Sequence, residues 1–191
     1  TKQFVIFICT LLQFTNVFAL PHGHRALGHA YSGKDTNQDA LKKYYEEYPF
    51  ALTLETLTLN RKFTFKKMRL GISPELNYFI NEHWYLQYDY FYLQKHQHRH
   101  EALVGWQQTH GPIRPYGEVY SMSIFKPHTP TKTTLNYDIG FHIPLARRWL
   151  LTLDFVNMFE KKRLVLVPEL TYAITKHIGT TIEYAYFPGT G

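Results

Sequence analysis

Cysteine is almost absent from this sequence. Cys9 is the only one in 191 residues, so no intramolecular disulfide can form and stability has to come from backbone pairing and packing. Long apolar runs are missing too. A membrane-crossing helix needs about 20 consecutive apolar residues, whereas Phe4-Val5-Ile6-Phe7-Ile8-Cys9-Thr10-Leu11-Leu12 soon gives way to Gln13, Thr15 and Asn16. A bundle of transmembrane helices is therefore excluded. Acidic residues are outnumbered, with 15 Asp and Glu against 21 Lys and Arg. The basic residues are scattered along segment ends and form no dense stripe, so no nucleic-acid partner is expected. No cofactor is expected.

The first residues combine a basic start at Lys2, the short apolar run and Val17-Phe18-Ala19. Basic, apolar and small-residue regions in that order are the parts of a secretory signal. The expectation is an export signal over residues 1–19, cleaved after Ala19, which leaves no cysteine behind. Residues 20–49 read as a leader followed by a short helix. His22, His24 and His29 lie among glycines without periodicity, a weak metal-binding tract. Leu41, Tyr44, Tyr45 and Tyr48 then recur at helical spacing until Pro49 ends the run.

From Phe50 the hydrophobic period becomes two, and residues 50–191 read as one β domain. Met68, Leu70, Ile72, Leu76 and Tyr78 alternate with Lys67, Arg69, Ser73, Glu75 and Asn77. Trp84, Leu86, Tyr88, Tyr90 and Tyr92 alternate with His83, Gln87 and Asp89; Leu135, Tyr137, Ile139, Phe141 and Ile143 alternate with Asn136, Asp138 and His142. Noisier runs cover 99–108, 113–125, 148–159, 163–174 and 180–187, and 50–60 gives a first strand with a phase slip after Leu54. Short connections, as at Asn81-Glu82 and Ala146-Arg147, alternate with longer charged ones, as at 62–66 and 126–131. Pro74-Glu75-Leu76-Asn77-Tyr78 is echoed by Pro168-Glu169-Leu170-Thr171-Tyr172.

The two faces differ in chemistry. Aromatics gather toward strand ends on the apolar face, at Trp84, Tyr90, Tyr92, Trp106, Tyr120, Trp149 and Tyr186, as in the girdles at membrane interfaces. The other face carries Glu75, Asp89, Glu101, Asp138, Asp154, Glu169 and Glu183 near mid-strand. Charges enclosed in a small barrel need pairing or water, and Arg69, Arg148 and Arg163, with Lys67, Arg99 and Arg114, are the candidate partners. The expectation is a lumen charge network of acids and arginines.

This pattern resembles bacterial outer-membrane β-barrel proteins as a class, over residues 50–187. The resemblance implies an all-β, antiparallel transmembrane up-and-down barrel of about 8–10 strands, preceded by the signal and the amphipathic helix. It further implies residence in the outer membrane, with outer-membrane lipid and the barrel assembly machinery as partners. Nine runs make an odd count, so either a tenth strand is missing from a truncated sequence, the favoured reading, or the first run is a hairpin; alternatively Gly179 to Phe187 is itself the closing strand. The ending Tyr184-Ala185-Tyr186-Phe187-Pro188-Gly189-Thr190 is similar to the penultimate strand and loop of the lipid A palmitoyltransferase family. That family's catalytic His with its Asp-Ser pair is not found at matching positions, so its activity is not carried over.

Three functions stay open: a non-enzymatic envelope component or narrow porin-like channel, a lipid-modifying enzyme, and a secreted soluble barrel for an apolar ligand. For hydrolysis His142, Ser121, Ser123 and Asp138 are available, but no motif orders them. His96, His98 and His100 alternate on one strand face, a weak transition-metal candidate.

Overall fold

The computed structural model describes residues 4–9, 29–31, 38–60, 69–93, 97–160 and 164–186. Strands dominate it: β1 Phe4–Cys9, β2 Phe50–Asn60, β3 Arg69–Phe79, β4 Trp84–Leu93, β5 Gln97–Gln107, β6 Arg114–Phe125, β7 Lys132–Ala146, β8 Trp149–Val156, β9 Val165–Ala173 and β10 Gly179–Tyr186. The helix α1, Gln38–Glu47, precedes β2, and residues 29–31 form a helical turn. From β2 to β10 each strand pairs antiparallel with the next, an up-and-down sheet. β1 pairs with both β10 and β2, and so closes the ring. The nine runs legible in the sequence correspond to β2–β10, and the tenth strand is Phe4–Cys9. A Phe-Val-Ile-Phe-Ile run suits a strand as well as the apolar stretch of an export signal.

Alternation decides which side chains enter the ring. On β4, Tyr85, Gln87, Asp89 and Phe91 are buried, while Trp84, Leu86 and Tyr88 are exposed. On β7, Asn136, Asp138 and His142 are buried between partly exposed apolar neighbours. The enclosed side is thus the polar one. Short turns join β3–β4, β5–β6, β7–β8 and β9–β10. At the first, Asn81 Oδ1 accepts from the His83 and Trp84 amides at 2.8 and 2.9 Å; at the last, Thr175 Oγ1 accepts from the His177 and Ile178 amides. A register shift between Pro144 and Ala146 on β7, where proline removes a ladder donor, leads into the third turn.

Two tyrosine–glycine pairs set the spacing inside the ring. Tyr85 pairs across strands with Gly105, and Tyr116 with Gly140. Each phenol ring lies over its glycine, where an added Cβ would fall within the ring itself. Folded against the wall in this way, the Tyr85 hydroxyl donates to Glu118 Oε1 at 2.5 Å.

α1 lies across the mouth at the short-turn end. Leu41, Tyr44 and Tyr45 pack in one apolar cluster with Phe79, Tyr85 and Leu103, with Tyr45 stacked on Phe79 at 4.0 Å. Its far end is held by the β9–β10 turn. Lys176 Nζ donates to Glu47 Oε1 at 3.0 Å, the Tyr44 hydroxyl donates to the Lys176 carbonyl at 3.2 Å, and Lys176 sits over the Tyr48 ring. Hydrogen bonds from Tyr48 and Lys176 hold the Glu47 carboxyl below its ordinary value of 4.5. Tyr48 and Glu47 raise Lys176 above 10.5, while burial, then Lys176, lowers His177 below 6.5.

Two predictions follow from these contacts. Gly105→Ala or Gly140→Ala drives a methyl into a tyrosine ring and should cost roughly 1–3 kcal/mol, as overpacking does; the urea midpoint of the refolded protein measures it, and an unchanged midpoint refutes the close packing. For α1, a lowered carboxyl and a lowered imidazole both favour docking at higher pH, and a raised lysine favours it at lower pH. Docking should be strongest between the ordinary His and Lys values, 6.5 and 10.5. It should weaken as pH falls through the lowered His177 and then Glu47 values. Amide protection factors in α1 report this, and Lys176→Met should reduce the Glu47 contribution to the acid limb, the Tyr48 hydrogen bond remaining.

Candidate functional site

The interior is acidic on most strands. Glu75, Glu118, Asp138, Asp154, Glu169 and Asp89 are each less than a tenth exposed, and Glu101 is half-buried. Register sets acid opposite acid: Glu75 faces Asp89, Asp89 faces Glu101, Glu118 faces Asp138, and the backbone pairs Glu169 with Glu183. Like charges directly opposed destabilise a sheet, and burial adds a desolvation cost.

Amides and a phenol supply much of the compensation. Gln87 Nε2 donates to Glu75 Oε2 at 3.2 Å and to Asp89 Oδ2 at 3.0 Å, bridging two carboxylates across the sheet. Asn77 donates to the other Glu75 oxygen, and Tyr85 serves Glu118. Arg99 is the cation of this layer. Its Nε lies 3.1 Å from Glu101, and its guanidinium sits 4.7 Å from the centre of the Phe91 ring. The expected network of acids and arginines is thus carried in part by neutral donors.

Other expected partners fall elsewhere. Arg148 occupies the β7–β8 turn with φ of 73° and donates outside the lumen to the Ile174 carbonyl at 2.9 Å. The positive φ takes its side chain off the strand alternation that had suggested an inward position. Arg163 and His96, and the side chains of Arg69, Glu183 and Tyr186, lie outside the described residues. Tyr120, expected in the aromatic girdle, shares the inward phase of Tyr116 and Glu118 and packs toward the α1 cluster. Trp84, Tyr90, Tyr92, Trp106 and Trp149 are on the outward face.

The short-turn end is filled by the leader. His29 and Ala30 are fully buried. Arg114 Nη1 approaches His29 Nδ1 at 2.9 Å, and His29 Nε2 approaches Gln107 Oε1 at 3.3 Å. A guanidinium can only donate, so Nδ1 accepts and the neutral ring carries its proton on Nε2, facing Gln107. The His29 ring also lies tilted against His142 at 4.4 Å, and His142 stacks on Tyr116 at 4.5 Å. Ala30 packs with Leu150 and Ala173. Sequence reasoning had no route to this plug, because the leader is aperiodic and its contacts span up to 85 residues. Glu118 was legible in principle, since Arg114, Tyr116 and Glu118 alternate; Ser121 and Ser123 blur that strand.

The hydrolase constellation does not assemble. His142 and Asp138 point inward and His142 bonds Thr152 at 3.1 Å. Ser121 and Ser123 lie on the outer face, where Ser123 bonds Thr133 at 2.9 Å. The sheet separates the hydroxyls from the imidazole. Among the described residues no group of three or more His, Cys, Asp or Glu side chains is placed to hold a metal ion. No family model, curated protein or solved structure matches the chain.

Arg114 is the pivot of the plug. Arg114→Met should loosen His29, raising hydrogen exchange at residues 29–31 by about ten-fold, as loss of a charge-assisted bond would; unchanged exchange would show that Gln107, His142 and the packing of Ala30 suffice to hold the segment.

Proposed function

We propose that this chain is a bacterial outer-membrane β-barrel, a non-enzymatic envelope component whose lumen is closed at one end by its own leader. One observation carries the reading: the polarity of the fold is inverted. Its enclosed side chains include Glu75, Asp89, Glu118, Asp138, Asp154 and Glu169, while Leu76, Tyr78, Trp84, Leu86, Val104 and Trp106 are among the large apolar side chains more than a third exposed. In water that arrangement leaves apolar surface unburied and carboxylates desolvated; in lipid the outer face is solvated, and the ring of antiparallel strands pairs backbone amides between neighbours. Strands β2–β10, of 8–15 residues, also fit a crossing that takes about 9–11 tilted residues, whereas β1 has 6. No described helix is long and apolar enough to cross.

A soluble barrel for an apolar ligand wants an apolar lumen, and a hydrolase wants Ser121 and His142 on one side of the sheet. A narrow channel requires His29 and Ala30 to leave the mouth. Export by a cleaved signal over residues 1–19, with assembly by the outer-membrane machinery, belongs to the same proposal, although cleavage after Ala19 would remove β1. β2 and β10 would then have to close directly on each other.

Fractionation tests the location: the protein should stay in the outer-membrane fraction until detergent is added, with heat-modifiable mobility on gels. Recovery from the periplasm without detergent overturns the proposal. N-terminal sequencing should find Leu20 first; Thr1 retained in the membrane form would make β1 a permanent strand. In planar bilayers the intact protein should stay at background conductance, and the pair His29→Ala with Arg114→Met should give discrete openings.

A further inference from the structure

Among the described residues His98 and His100 belong to no group placed to hold a metal ion, yet they are built into the outer face. The hydroxyl of Tyr88 meets His100 Nδ1 at 2.6 Å, and that of Tyr90 meets His98 Nδ1. The rings interleave: Tyr90 lies 4.9 Å from His100, Tyr92 lies 5.2 Å from His98, and Phe125 closes on His100 at 5.1 Å. When each phenol donates to Nδ1, the imidazole proton resides on Nε2. Two N–H groups then stand on alternate residues of β5, roughly 7 Å apart along the strand. Ser123 and Thr133 add a hydroxyl pair on the neighbouring strands.

This polar cluster interrupts the apolar exterior of β4–β6 at the long-loop end. Trp84, Trp106 and Trp149, the three tryptophans of the chain, all stand beside short turns at the other end. The charge is one-sided as well. Residues 90–100 and 119–137 contain no Asp or Glu, and besides the inward Arg99 they carry Lys95, Lys126 and Lys132. Lys126 and Lys132 are exposed at the ends of β6 and β7. The connections β2–β3 and β8–β9 add Arg61, Lys62, Lys66, Lys67, Lys161, Lys162 and Arg163 against Glu160.

We infer that the outer face of β4–β6 at the long-loop end is a binding site for the phosphorylated headgroup of a lipid, with His98 and His100 as donors and Lys126 and Lys132 as flanking charges. The inference rests on the membrane reading above. Donors spaced along one strand fit acceptor oxygens of a phosphate and its neighbouring polar groups. Adjacent apolar side chains, Phe125 and Leu135, remain exposed for acyl chains. A zwitterionic headgroup gains less from the same surface, because its own cation meets the exposed Lys126 and Lys132.

The test uses the full chain refolded in neutral detergent and titrated with phosphatidic acid or phosphatidylcholine, read by native mass spectrometry and by imidazole nitrogen shifts. Phosphatidic acid should bind about ten-fold more tightly and weaken with added salt. It should move the His98 and His100 nitrogen signals and leave His83 and His110, at the other end, in place. Lys126→Gln with Lys132→Gln, which removes the flanking charges, should bring the two lipids to within about two-fold. Equal binding of both lipids, or a preference that survives the double substitution, overturns the site. If the variant does not fold, the wild-type nitrogen shifts decide. A chain that never enters the membrane fraction fails earlier and separately, in the fractionation experiment.

Discussion

Acid opposite acid is the constraint around which this barrel is arranged. Once the sheet closes, Glu75, Asp89 and Glu101 line up on three adjacent strands, with Glu118 and Asp138 on two more. Solvent alone cannot screen groups so deeply enclosed. Much of the remaining interior therefore consists of donors placed within reach: Gln87 between two carboxylates, Asn77 beside one, Tyr85 on Glu118, and Arg99 on Glu101. Such a network specifies register, because a slip by one residue would send the acids outward and bring the tryptophans in.

Where one face was uniformly polar, the sequence could be read directly. β3, β4 and β7 have clean period-two alternation, and their boundaries and phases follow from it. β6 is harder because its inward residues run from Arg114 and Glu118 to Met122 and Ile124, while Ser121 and Ser123 sit outside. Alternation alone placed Arg148 in the lumen, and a left-handed turn conformation takes it out. The plug lies beyond any local signal. Nothing near His29 announces that Arg114, Gln107 and His142 will surround it, since those neighbours are set by closure of the ring.

The two ends of the molecule are chemically different. The short-turn end carries the tryptophans outside, and α1 and His29 within; the long-loop end carries Tyr–His pairs and a basic rim. The polarity of the ends follows from the up-and-down order, which sends every second connection to the same side. A plug supplied by the leader must then sit at the end where β2 begins, as α1 does.

Tyr85 lies on Gly105 and reaches Glu118, linking β4, β5 and β6. Losing the glycine requires a smaller ring, and a smaller ring removes the donor that makes Glu118 tolerable. In descent, then, these three positions are inherited as one: homologues should either keep all three or replace them together, a covariation signature spaced 20 and 13 residues apart along the chain.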